Sequence, residues 1–127
     1  MINRTVPADC GKPHQGQKLA EVAILILLLQ GVAHGYAMLE ALDQFDFGPD
    51  KMNASTLYRT LRRFEQEGYA TSAWEAGGQG PKRRVYHITD PGKDYLVQWI
   101  DALKVRRRRI NLMIETYERN ESVSQQE

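Results

Sequence analysis

The chain has 127 residues, room for one ordinary domain and not for two full ones. Hydrophobic residues make up 42% and charged residues 26%, which excludes an intrinsically disordered chain. Lys+Arg is 17 and Asp+Glu is 16, a net charge of +1. That balance excludes a uniformly basic nucleic-acid coat, but it leaves room for a basic patch on one face.

The single cysteine, Cys10, rules out an internal disulfide framework, although an intermolecular bridge stays formally open. One thiol and no disulfide suit a reducing compartment, so a cytoplasmic protein is expected. The longest apolar run, Val22 to Leu29, falls far short of the roughly 20 residues a membrane span needs. The polar stretch before it carries Asp9, and no small-residue cleavage pattern follows, which argues against a signal peptide. No membrane association is expected. The run reads as a buried core segment, and its Leu and Ala content favours helix.

Residues 1–17, with Pro7, Gly11, Pro13 and Gly16, read as a mobile N-terminal arm. A first helix follows from about Leu19 to Gln30, closed by Gly31 at the position where a left-handed cap is expected. A second runs from near Gly35 to about Phe45. Tyr36, Leu39 and Leu42 recur along it at helical spacing, with Met38 and Phe45 beside them. Gly48 and Pro49 make Asp46 to Lys51 a loop.

The third helix starts at Asn53, whose side chain can accept from a free amide of the first turn, and ends at Gly68. Leu57, Leu61 and Phe64, spaced i, i+4, i+7, form its core stripe. The opposite face carries Ser55, Thr56, Arg59, Arg62 and Arg63, with Glu65 and Glu67 held back to the last turn.

After Gly68 the period changes from helix to strand. Tyr69 to Glu75 and Lys82 to Thr89 read as strands of a hairpin, joined by the flexible turn Ala76 to Pro81. Lys82, Arg83 and Arg84 begin the returning strand, and Trp74 is expected to anchor the wing on the body. A fourth helix opens near Pro91, a residue suited to a first helical turn, and runs to about Tyr117. Leu96, Ile100, Leu103, Ile110, Met113 or Ile114, and Tyr117 form an approximate heptad seam, broken by Arg107. A helix of about 27 residues spans about 40 Å, whereas the preceding body is nearer to about 30 Å across. The helix should therefore project, and a second copy of the chain is the simplest cover for its apolar stripe. Residues 119–127 read as a flexible polar tail.

Three helices followed by a two-stranded hairpin is the order of a winged helix-turn-helix. The expected fold is thus mainly α with a two-stranded β wing. Residues 18–90 form the winged helix-turn-helix DNA-binding domain and 91–118 the long C-terminal dimerisation helix. A polar, arginine-bearing helix presents donors to a duplex groove while its buried stripe fixes its angle. The cations at the wing can reach the neighbouring backbone. Between Ser55 and Thr89 there are six cations against three acids, so the near-neutral total hides a cationic face and an acidic remainder.

These residues carry a family resemblance over about residues 19–117. His34-Gly35-Tyr36 enters the second helix, and Ser55-Thr56-Leu57-Tyr58-Arg59-Thr60-Leu61-Arg62-Arg63 fills the third. Glu67-Gly68 precedes the hairpin and Trp74 lies in its first strand. Gly80-Pro81-Lys82-Arg83-Arg84-Val85-Tyr86 forms the wing, and Thr89 to Gly92 opens the last helix. The pattern resembles the PadR family of bacterial transcriptional regulators. Phe47-Gly48 and Val85-Tyr86 are similar to the branch of polyhydroxybutyrate-responsive repressors.

The resemblance implies a homodimer on an inverted repeat of double-stranded DNA, with two recognition helices in successive major grooves about 34 Å apart. It implies repression, released in several members by a phenolic or other small hydrophobic compound. It also adds Tyr58, which matches a tyrosine of the family's recognition helix. The DNA-contacting set is then Ser55, Thr56, Tyr58, Arg59, Arg62, Arg63, Lys82, Arg83 and Arg84. Leu96, Ile100, Leu103, Ile110, Met113, Ile114 and Tyr117 would build the dimer. An effector would meet the dimer interface near Trp99 and Leu103. The four arginines Arg106 to Arg109 depart from the family's apolar C-terminal pattern.

Other chemistries have little support. Gly77-Gly-Gln-Gly-Pro-Lys82 lacks the Walker spacing and joins strands instead of opening a helix. Cys10 and His14 have no second ligand pair, so no metal and no cofactor are expected. No nucleophile–base set or carboxylate pair stands out, so the chain is not expected to be an enzyme. His34 is expected to cap or pack, a role in pH sensing being the other reading. The competing function is a winged-helix protein-interaction module that does not bind DNA.

Overall fold

A computed structural model of the chain describes residues 15–48, 51–75 and 83–126. Its elements in order are α1 (Gln15–Leu29), α2 (Gly35–Ala41) with a 3-10 turn at Leu42–Phe45, α3 (Ala54–Gln66), β1 (Ala70–Trp74), β2 (Arg84–Ile88) and α4 (Asp90–Gln126). The strands pair antiparallel, with Ala70 opposite Ile88, Ser72 opposite Tyr86 and Trp74 opposite Arg84. This is a winged helix-turn-helix with a long C-terminal helix, the fold class expected.

The Val22 to Leu29 run supplies the centre. Val22, Ala23, Ile24, Leu25, Leu27 and Leu28 are all buried, so α1 is covered on nearly every side. Leu57, Leu61 and Phe64 of α3 pack on it, together with Met38 and Leu42 of the second helical segment and Tyr86 of the wing. Both α1 and α3 end in the same way. Gly31 (φ 92°) and Gly68 (φ 83°) take left-handed backbone, which costs glycine nothing. The following amides then close the helix: Val32 N–H donates to the Leu27 carbonyl at 2.9 Å and Tyr69 N–H to the Phe64 carbonyl at 2.8 Å. At the other end of α3, the Asn53 side chain accepts from the Thr56 amide at 2.9 Å, the cap expected.

The junction of wing and α4 is tightly specified. The Thr89 hydroxyl donates to the Gly68 carbonyl at 2.6 Å and accepts from the Gly92 amide at 3.0 Å. One side chain thereby joins the end of α3 to the start of α4. A Cβ at Gly92 would run into the Tyr69 carbonyl oxygen, so only glycine lets α4 start here. Tyr95 then stacks on Tyr69 with ring centroids 4.2 Å apart and meets Trp99 edge-on at 6.5 Å.

Several expectations change. Helix α1 begins at Gln15, inside the span assigned to the arm, and residues 1–14 lie outside the described residues. Tyr36 is 79% exposed and not a core residue. Helix α2 turns Met38 and Leu42 inward, and two steps of about 100° put Tyr36 on the far side. Helix α4 continues to Gln126, so helix extends through residues assigned to the tail; nothing in Glu118 to Gln126 is a glycine or proline that would stop it.

The seam of α4 also divides. Leu96 is buried in the chain's own core, with Ile100 and Leu103 packed against it. Ile110, Met113, Ile114 and Tyr117 are exposed. Periodicity reports an apolar stripe but not whose surface covers it. At 37 residues the helix is about 55 Å long and outgrows the body. Trp99 is 1% exposed and belongs to the same core, and its indole N–H has no hydrogen-bond partner among the described residues. Within one chain it therefore offers no surface to an effector. Among the described residues no helix is long and apolar enough to cross a membrane.

Candidate nucleic-acid interface

The 3.6-residue period of α3 sorts its polar side chains into three lines. Thr56, Thr60 and Arg63 share one side, from which Arg63 reaches α1. Tyr58, Arg62 and Glu65 run toward the wing. Ser55, Arg59 and Arg62, spaced i, i+4, i+7, form the free face opposite Leu57, Leu61 and Phe64, and all three are exposed.

Arg63 departs from the expected DNA-contacting face. Its guanidinium donates to Glu21 of α1 at 2.5 Å and to Glu67 at 3.3 Å, and lies 5.3 Å from the Phe64 ring centroid. The Glu21 side chain is only 7% exposed, so this is an ion pair set into the body. Burial alone lowers the Arg63 pKa, but the carboxylates of Glu21 and Glu67 outweigh it and raise the pKa above its ordinary value. The residue fastens α3 to α1. Thr56 is partly buried at the cap, and its carbonyl accepts from the Thr60 hydroxyl at 2.8 Å.

By contrast, Arg59 and Arg62 have no acidic partner among the described residues, and neither has Arg83 at the foot of β2. Arg84 is held by the wing. Its Nε donates to the Ser72 hydroxyl at 2.8 Å, and Ser72 donates in turn to Glu65 of α3 at 2.8 Å. Its guanidinium lies 5.2 Å from the Trp74 ring centroid. Cross-strand register explains the contact, because Trp74 and Arg84 are directly opposed and project from one face of the sheet. Lys82 lies outside the described residues.

The wing is attached by Tyr86 and not by Trp74. Tyr86 is buried and its amide donates to the Ala33 carbonyl at 2.9 Å, joining β2 to the turn before α2. Trp74, two pairs nearer the tip, overhangs the body and is 57% exposed. Beyond β1, Glu75 meets the His34 imidazole at 3.2 Å, a second bridge between wing and helix-turn-helix.

These contacts border an open-sided cavity of about 700 Å³ between the start of α2, the wing side of α3 and the hairpin. Tyr36, Tyr58, Trp74 and Tyr86 line it together with Arg62, Arg83, Arg84, Glu65, His34 and Gly35. Tyr58 sits directly on the first turn of α2. A Cβ at Gly35 would fall 2.5 Å from the Tyr58 hydroxyl, so any larger residue there would have to displace the Tyr58 ring. Sequence reasoning singled out Tyr58, Arg62, Arg83 and Arg84 but missed Tyr36, Glu65, Ser72 and Tyr86 as their neighbours. The signals were faint: Glu65 stands i+3 from Arg62, and Ser72 and Trp74 alternate along one strand face.

The fold and its exposed cations define a winged helix-turn-helix of the kind found in transcriptional regulators. The chain belongs to the PadR-like family of transcriptional regulators, whose family model matches residues 24–98. It is similar to the PadR-like transcriptional regulator BC4206 from Bacillus cereus, with 26% identity over 76% of this chain and 92% of that one (TM-score 0.65). A PadR family regulator from Eggerthella lenta is 28% identical over 78% of this chain and 88% of its own (TM-score 0.61). Bacillus subtilis PadR in complex with operator DNA is 29% identical over 65% of this chain and 46% of that chain (TM-score 0.55). A search of curated proteins gives no match.

Proposed function

We propose that the chain is a homodimeric regulator that binds double-stranded operator DNA through α3 and the wing. The observation that carries the reading is the pair of arginines Arg59 and Arg62 on the free face of α3, with a third, Arg83, at the wing, none of which has an acidic partner among the described residues. A cation left without an acid on a folded surface is available to phosphate or to the guanine edge, where arginine binds bidentately. A relative that carries the same domain has been captured with operator DNA. Ser55, Arg59 and Arg62 would meet the major groove. Arg83 and Arg84, and Lys82 beside them, would meet backbone or the adjacent minor groove. Tyr58 and Thr56 support this surface from behind, and Arg63 sets its angle.

The exposed stripe Ile110, Met113, Ile114 and Tyr117 supports dimerisation through α4. A twofold partner would present two α3 helices to an inverted repeat. Repression of the target promoter and a cytoplasmic location follow from the same reading. A hydrophobic or phenolic effector, expected near Leu103, would act at the α4 interface.

The test is a fluorescence-anisotropy titration with DNA from upstream of the gene itself. Arg62→Ala combined with Arg83→Ala should weaken binding at least about tenfold at fixed salt, with the oligomeric state unchanged. Affinity for the wild-type chain should fall steeply with salt as counterions are released. Unchanged affinity in the double variant would remove these arginines from the interface. Failure of the wild type to retard any promoter DNA would favour the protein-interaction module.

A further inference from the structure

The cavity beneath the wing has a composition of its own. Its floor and walls are aromatic: Tyr36, Tyr58, Trp74 and Tyr86. Arg62 and Arg83 open onto it without an acidic partner among the described residues. The one carboxylate among its described lining residues, Glu65, uses Oε2 to accept from Ser72, and its Oε1 accepts no hydrogen bond from the described residues. Rings, two uncompensated guanidiniums and one acceptor together describe a ligand with a flat π system, a multiply charged anion and a donor edge.

We propose that this cavity is a binding site for a nucleoside phosphate, with the base among the tyrosine and tryptophan rings and the phosphate on Arg62 and Arg83. Charge selects phosphate over carboxylate: a phosphate monoester carries about −1.5 to −2 at neutral pH, which two arginines match, whereas an aromatic carboxylate carries one. Size agrees. A volume of about 700 Å³ lies within the range of sites that enclose a ligand of several rings, and a single substituted benzene would leave most of it to water. The exposed rings, Tyr36, Tyr58 and the Trp74 face not covered by Arg84, supply stacking faces that any base can use, and Glu65 accepts from an exocyclic amine. The same chemistry occurs in a nucleotide of a DNA strand; the proposed ligand is the free nucleotide.

Arg62 and Arg83 also belong to the proposed DNA surface. A bound nucleotide would therefore occupy the cations that DNA needs and would compete with it directly, without any rearrangement at the dimer helix. That consequence rests on the DNA-binding reading; the site itself does not.

The full-length, DNA-free protein is titrated by calorimetry with adenosine and guanosine 5′-monophosphates, with adenosine, inorganic phosphate and 4-hydroxybenzoate as separate arms. At least one nucleotide should saturate one site per chain. Adenosine and phosphate alone should bind at least about tenfold more weakly, because each engages only half of the site. Arg62→Ala with Arg83→Ala should lower nucleotide affinity at least about tenfold at an unchanged melting temperature, since both side chains are exposed. Nucleotide should quench Trp74 emission, and the Trp74→Phe variant, which retains only the buried Trp99, should lose that quenching. No saturable heat with either nucleotide up to millimolar concentration overturns the proposal. So does unchanged affinity in the arginine variant, or tighter binding of 4-hydroxybenzoate than of both nucleotides. A final arm adds nucleotide to a preformed complex with promoter DNA at constant ionic strength. Nucleotide binding by a protein that binds no DNA would support the site and sink only the DNA-binding reading.

Discussion

Arg63 shows how position within one helix decides a side chain's task. It follows Arg62 directly, yet a step of about 100° turns it toward α1 and away from the free face. There it neutralises Glu21, a carboxylate that would otherwise be buried alone. Removing one member of such a pair leaves the other desolvated and unpaired, which costs more than the pair itself contributes. Arg63→Met should therefore lower stability by about 1–3 kcal/mol, read as a lower urea midpoint at unchanged slope. Adding Glu21→Leu should recover most of that loss, because both charges are then gone. Simple additivity of the two substitutions would show that the pair is not coupled.

Two phenols, the buried Tyr86 and the partly buried Tyr69, give a second test at this scale. Burial pushes the pKa of Tyr69 and Tyr86 above the ordinary tyrosine value, with Tyr95 adding to the effect on Tyr69. The folded state then keeps these protons to higher pH than the unfolded state does. Their contribution to stability should be complete below about pH 10 and lost as pH rises through the folded values. Ultraviolet titration of the phenols alongside denaturant midpoints checks the sign. The variant Tyr86→Phe should flatten part of the alkaline decline.

Among elements, the junction of α3, wing and α4 concentrates the specification. Thr89 bridges two helix ends, and Gly92 allows the closest approach of α4 to the Tyr69 carbonyl. Gly92→Ala gains helix propensity worth about 1 kcal/mol but meets backbone, which cannot step aside like a side chain. The steric cost should win, with a net loss of about 1–3 kcal/mol measured as a fall in melting temperature. A neutral or stabilising result would show that α4 can shift away. The wing's attachment is also divided between elements. Tyr86 ties β2 to the turn before α2, while Ser72 and Glu65 tie β1 to α3. The positions of Arg83 and Arg84 relative to Arg62 are set by these links.

For the whole molecule, the decisive feature is a helix longer than the body it leaves. Residues 107–121 of α4 are exposed throughout, and Met113 is 64% exposed. Apolar side chains in that state seek cover, and in the proposed dimer a second α4 would supply it. Met113→Glu with Ile114→Glu should shift sedimentation equilibrium from dimer to monomer and remove the concentration dependence of the melting temperature. DNA affinity should drop with it, because one α3 then reads one half-site. A variant that stays dimeric would place the interface elsewhere, at α1 or on the body.

Much of this molecule was legible in the chain itself. The Asn53 cap, the Gly31 and Gly68 stops, the Leu57-Leu61-Phe64 stripe and the switch from helical to strand period are local. Each follows from backbone sterics and spacing within a few residues. The winged-helix order and the family could therefore be read before any contact was known. What covers an apolar stripe, and what answers a charge, are not local properties. Arg59 and Arg63 are chemically alike, and only the arrival of Glu21 from a helix 42 residues away in the chain separates a fastened cation from one with no acidic partner among the described residues. Leu96 and Met113 occupy one heptad pattern, and only the size of the body decides that the first meets its own core and the second meets none of it. The same reason governs the cavity: its rings and arginines come from α2, α3 and both strands, and their convergence exists only after the chain has folded.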